Sequence, residues 1–97
     1  MKYPEIINSE PVVLVEFFAT WCPHCQKMMP VVEQIKTLLD GRVPVYQFDI
    51  DENESTAGKA GVESVPTFLI YKDGNPVWRH SGEIDGDMLL DKVKSYM

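Results

Sequence analysis

The sequence predicts an α/β fold, a central sheet of about four strands flanked by helices, and three observations carry that prediction. PVVLVEFFA, Pro11 to Ala19, is a run of β-branched and aromatic residues of strand length. It is apolar at consecutive positions, as expected of a strand covered on both faces. Between Pro23 and Leu39 the apolar residues Met28, Val31, Val32, Ile35, Leu38 and Leu39 recur at helical spacing. Further on, two short strand-like runs flank Asp73 and Gly74, the strongest hairpin signal in the chain.

Taken in order, the elements alternate. Pro11 to Ala19 is the central strand. The helix from Pro23 to Leu39 carries Pro30 in its interior, where the missing N–H should bend it, and stops at Asp40 and Gly41. Val43 to Asp49 is the next strand, with Pro44 near its start, a position best tolerated at a sheet edge. Asn53 is a candidate cap for a short helix through Ala60 that ends at Gly61. Thr67 to Lys72 and Val77 to Ser81 form the hairpin. Asp85 then caps a last helix expected to turn Met88, Leu89, Val93 and Tyr96 inward, with Lys92 and Lys94 suited to its C-terminal end.

Composition bounds the function. Ninety-seven residues, 44% hydrophobic, suffice for one compact domain with its own core. The two cysteines are too few for a disulfide scaffold, so stability must come from burial and the thiols are free for chemistry. A net charge of −6 without a basic patch argues against nucleic acid or an anionic membrane surface as partner. MKYPEIINSE has no apolar run of signal-peptide length and no later stretch approaches a membrane span. The expectation is a soluble cytoplasmic monomer, in a reducing compartment where a CxxC is catalytic or metal-binding more often than a permanent cross-link.

That CxxC is TWCPHCQ, Thr20 to Gln26. A strand ending at Ala19 and a helix starting near Pro23 put Cys22 at a helix N-terminus, where unpaired N–H groups favour an anion, here a thiolate. Cys25 sits one turn further in, at an i, i+3 spacing that brings the two sulfurs together. The outer sulfur should attack and the inner one resolve. Pro23 suits the first helical turn, and the His24 imidazole beside it could donate to the sulfur. Both residues would tune the nucleophile, since a thiol lowered from ~8.5 to ~7 is about half ionised at neutral pH.

FFATWCPHC, Pro30 in the helix, SVPTF at Ser64 to Phe68, YKDG at Tyr71 to Gly74 and the lone Gly82 together resemble the thioredoxin family, from about Val12 to the C-terminus. The resemblance implies a thioredoxin fold with a mixed sheet, in one domain over residues 1–97, and thiol-disulfide exchange with protein substrates. It also implies electrons from a thioredoxin reductase or similar partner, and no metal or organic cofactor beyond the redox-active Cys22 and Cys25 pair. Cys22 becomes the nucleophile, Cys25 the resolving thiol and Pro66 a cis proline. Trp21, Val65, Pro66 and Gly82 become the groove where a substrate chain docks.

The departures carry information too. Thioredoxins usually have Gly and Pro between the cysteines, whereas Pro23 and His24 resemble the dipeptide of the periplasmic oxidant DsbA, whose nucleophile has a low pKa and whose disulfide is oxidising. A potential above that of ordinary thioredoxin follows as an expectation. The family's buried Asp is Glu16 here, within VVLVEFF, and the Lys that accompanies it aligns with Gln47, so the internal base is expected to be longer and to lack its cation. Burial would raise the Glu16 pKa and let it take and return the Cys25 proton. Only eleven residues precede Val12 and one is Pro4, so the family's N-terminal strand is expected to be absent, leaving Val43 to Asp49 at the edge.

Competing readings are weaker. Zinc would need two further ligands, and His80 is the only other His or Cys outside the motif. An iron-sulfur cluster would have to borrow ligands from a second chain. A non-enzymatic docking module would leave the reactive motif without purpose. DIDENE, Asp49 to Glu54, starts like a calcium loop but has Glu54 where Gly is required and Ala60 where the bidentate Glu belongs. Met28 and Met29 read as core filling, and Trp78 and His80 as surface strand residues without chemistry.

Overall fold

The computed structural model describes residues 2–97. Its elements are α1 (Tyr3–Ile7), β1 (Val12–Phe18), α2 (Pro23–Leu39), β2 (Val45–Asp49), α3 (Glu54–Lys59), β3 (Thr67–Lys72), β4 (Asn75–Ser81) and α4 (Gly86–Ser95). The sheet runs β2-β1-β3-β4, with β1 parallel to β2 and antiparallel to β3, and β3 antiparallel to β4. It is the expected mixed sheet of four strands.

β1 is central and its two faces are both covered. Val12 and Leu14 pack with Phe68 and Ile70 under Met28, Val32, Ile35 and Leu39 of α2 and Leu89 and Val93 of α4. Val13, Val15 and Phe17 pack on the opposite face with Leu69 and Tyr71 against α1 and α3. Double coverage explains why this strand reads as a continuous apolar run. The one charge in that run, Glu16, lies on the α2 side and is 2% exposed.

As expected, β2 is an edge strand and no strand precedes β1 among the described residues. In its place is α1, a helical turn and a half that no pattern in the sequence marks. It is too short for periodicity to register, and its Pro4 sits in the first turn, where a missing N–H costs nothing. Tyr3 anchors it, stacking edge-on against Phe48 and Tyr71 and sharing a 2.8 Å hydrogen bond between its hydroxyl and that of Tyr71.

Three local expectations are corrected. Met88 is 64% exposed on α4 and Met29 58% exposed on α2, so neither fills the core. Both stand one position off the buried stripe of their helix, beside Leu89 and Met28. Asn53 precedes α3, but its side chain donates to the Asp49 carbonyl rather than capping the helix. Asp85 does cap α4, accepting from the Met88 N–H at 3.3 Å.

Candidate active site

β1 ends at Phe18, and the four residues that follow turn the chain into α2. Cys22 is the N-cap residue, in extended conformation, and Pro23 occupies the first helical position. The Cys22 N–H bonds back to Ala19 O at 3.2 Å, and the Gln26 side chain ties down Thr20 O at 2.9 Å. The Cys22 thiol donates to the Val65 carbonyl at 3.6 Å. Both thiols are free in this structure, and both are nearly covered, Cys22 at 5% exposure and Cys25 at 2%.

Their surroundings differ. The backbone N–H of Cys25 holds the Cys22 pKa below that of an ordinary thiol, working against burial and assisted by the Cys25 thiol and the His24 N–H. Burial pushes Cys25 up to about 12, with the Cys22 sulfur and the Glu16 carboxylate adding to the rise. One sulfur is prepared to ionise and its neighbour is not.

The His24 ring departs from expectation. Its Nδ1 pairs with Glu83 Oε2 at 2.5 Å instead of turning to the sulfur, and that contact holds the Glu83 carboxyl below the usual carboxylate range. The Glu83 charge in turn works to raise Cys22. It is thus the His24 backbone, rather than its imidazole, that favours the thiolate. Sequence reasoning misses Glu83, although it directly follows Gly82.

Val65 and Pro66 are joined by a cis peptide bond. The Gly82 N–H donates to Pro66 O at 2.8 Å, and Thr67 Oγ1 donates to Ser64 O at 2.6 Å, so this loop is fixed from both sides. Beside it lies a groove of about 560 Å³ lined by Trp21, Cys22, Ile50, Ala57, Val62 and Val65, with Asp51, Glu54 and Glu63 as carboxylates. Trp21 is 63% exposed, and its Nε1 donates to Asp51 Oδ2 at 2.8 Å. Pro66 and Gly82 stand outside the lining of this groove.

Behind Cys25 is a second, smaller cleft of about 190 Å³, lined by Glu16, Phe18, Cys25, Met29, Glu33 and Gln47. Gln47 Nε2 donates to Glu16 Oε1 at 2.8 Å, and Lys36 Nζ donates to Gln47 Oε1 at 2.6 Å. Burial raises the Glu16 pKa, opposed first by the Gln47 hydrogen bond and then by the Lys36 charge. The expectation that the base lacks its cation is therefore corrected: Lys36 supplies one from α2, an amide away. Spacing held the signal, since Cys25, Met29, Glu33 and Lys36 fall on one helix face.

Among the described residues, no three His, Cys, Asp or Glu side chains are placed to share a metal ion. In the acidic turn, Asp49 Oδ1 accepts instead from the Asp51 N–H at 2.9 Å.

The family model described as Thioredoxin matches residues 1–95. This chain belongs to the thioredoxin family. Thioredoxin 2 of Chlorobaculum tepidum is 37% identical over 93 residues, which cover 96% of this chain and 85% of that one. Thioredoxin Y1, a chloroplastic protein of Arabidopsis thaliana, is 34% identical over 89 residues. The match covers 92% of this chain but 52% of that relative, so the chain spans about half of the chloroplast protein's length. Among solved structures, a mutant thioredoxin from Halobacterium salinarum superposes with a TM-score of 0.86 at 36% identity, covering 96% of this chain and 80% of that one. Thioredoxins are thiol-disulfide oxidoreductases, and with its two cysteines side by side this thioredoxin is an enzyme of that class. No helix among the described residues is long and apolar enough to cross a membrane.

Proposed function

We propose that Cys22 is the attacking sulfur, Cys25 the resolving sulfur and Glu16 the group that takes the Cys25 proton. The Cys22 thiolate attacks a substrate disulfide, a mixed disulfide forms, and the first substrate thiolate leaves and is protonated. Cys25 then passes its proton to Glu16 and attacks Cys22 Sγ, expelling the second substrate thiol and closing the Cys22–Cys25 disulfide. Two electrons and two protons reach the substrate. The observation that carries this reading is the placement of the two sulfurs, Cys22 at the N-cap of α2 in the lining of the groove and Cys25 in the cleft with Glu16, and their opposite pKa shifts agree with it. Cys25→Ser should trap mixed disulfides with protein substrates, and Cys22→Ser should trap none; equal trapping by both variants would overturn the assignment.

The proposal treats residues 1–97 as one thioredoxin domain, working as a cytoplasmic monomer on protein disulfides. Trp21, Val65, Pro66 and Gly82 receive the substrate chain, a reductase resupplies electrons, and no further cofactor, nucleic acid or membrane takes part. It also holds that the Pro23 and His24 dipeptide sets the potential above that of ordinary thioredoxin, since the His24 and Cys25 N–H groups that stabilise the thiolate stabilise the reduced form, Pro23 having no N–H to offer. Glu83 opposes this. Equilibration with a glutathione redox buffer measures the outcome, and a value as low as ordinary thioredoxin's, about −270 mV, would remove the inference.

A further inference from the structure

Behind Cys25, the proposed base Glu16 of β1 is joined to two groups that the exchange steps do not use, Gln47 of β2 and Lys36 of α2. Lys36 reaches across from α2 and donates to Gln47 Oε1 at 2.6 Å, while Gln47 on β2 donates from Nε2 to Glu16 Oε1 at 2.8 Å. The same ammonium touches Glu33 Oε1 at 3.2 Å at the exposed end of the chain of contacts. β1 and β2 hold Glu16 and Gln47 as direct register partners. The amide is thus placed by the sheet and the ammonium by the helix.

The chemistry of the three groups leaves one arrangement. An ammonium only donates, so the amide must offer it the carbonyl oxygen. That choice commits the NH₂ end to Glu16, where it serves a carboxylate better than a protonated acid. Without Lys36, Gln47 could turn over and offer its oxygen instead, and a protonated Glu16 would become the better partner. The groups around Glu16 are Cys25 and Glu33 of α2 in the same cleft, Gln47 of β2, Lys36 of α2 beyond that amide, and apolar Phe68 at the paired position of β3; Glu33 opposes a second charge here, and its own contact with Lys36 offsets it.

We propose that Lys36 is a positioning residue which locks the Gln47 amide so that it donates to Glu16, a relayed substitute for a direct cation beside the buried base. The lock favours the ionised form of Glu16, the form able to receive the Cys25 proton. It rests on the reading of Glu16 as the base, but its first readout does not.

The experiment follows the Glu16 carboxyl by NMR in the reduced protein and, separately, the pH profile of mixed-disulfide resolution. Lys36→Met should move the Glu16 titration to higher pH and shift the resolution profile the same way. At neutral pH resolution should slow by roughly two- to tenfold, the range that one hydrogen bond's worth of stabilisation spans. Lys36→Arg, which keeps a charged donor, should restore both. In a Gln47→Leu background Lys36→Met should add little, because the lock has lost its bolt.

An unmoved titration in Lys36→Met, or a full additional effect in the Gln47→Leu background, overturns the lock. If Glu16→Gln leaves resolution unchanged while Lys36→Met still moves the titration, the lock stands and the base role of Glu16 falls.

Discussion

At the residue scale, Glu16 is a carboxyl at 2% exposure in the central strand. Its folded pKa lies above the unfolded value, so the folded state binds the proton more tightly. Stability associated with this group is therefore complete below the unfolded pKa of about 4.3 and is lost as pH rises through the folded pKa. Glu16→Gln, which keeps the shape and can still accept from Gln47, should raise Tm at pH 7, with the gain shrinking as pH falls toward about 4. Thermal unfolding of both proteins across that window checks the sign. A gain that grew on acidification would mean that Glu16 is held as a stabilised anion. The expected gain would mark Glu16 as a group that costs stability, which fits a residue retained for chemistry rather than for folding.

At the element scale, most of the architecture was legible because two periods dominate: consecutive apolar residues in β1, and the helical stripe of Met28, Val32, Ile35 and Leu39 in α2. The hairpin was legible from its turn. Asp73 and Gly74 have φ of 52° and 82°, the left-handed pair that a two-residue hairpin requires. What escaped were contacts between elements distant in sequence. The His24–Glu83 pair and the Lys36–Gln47–Glu16 chain depend on how α2 lies across the sheet; helix spacing puts Lys36 on the Cys25 face, but not against Gln47. The α1 turn escaped for the opposite reason, being shorter than the window over which a period can be read. One such contact tests the hairpin turn: a Cβ on Gly74 would run into Asn8 Oδ1. Gly74→Ala must both hold a positive φ and push aside an Asn8 side chain that donates to Pro4 O at 2.7 Å. It should cost about 1 kcal/mol or more and lower Tm by roughly 4–8 °C per kcal/mol, read by thermal unfolding. Adding Asn8→Ala should relieve the clash but not the backbone penalty.

At the scale of the whole molecule, the charge of −6 gathers partly around the reactive sulfur, where Asp51, Glu54 and Glu63 line the groove and Glu83 stands over His24. Substrates carrying Lys or Arg beside their disulfide should be drawn in and acidic ones repelled. Raising ionic strength toward about 0.5 M should lower kcat/KM for the basic class and raise it for the acidic class, each by a few fold, since exposed charges are screened within roughly a Debye length. Identical salt responses for the two classes would show that the rim does not select. The two cavities around the dithiol have no residue in common: Cys22 belongs to the groove, and Cys25 with Glu16 to the cleft between α2 and β2. The enzyme therefore has a front door and a back door. On the proposed mechanism, a protein docked over the groove would leave the cleft open, so the Cys25 proton taken by Glu16 would still have a route to water.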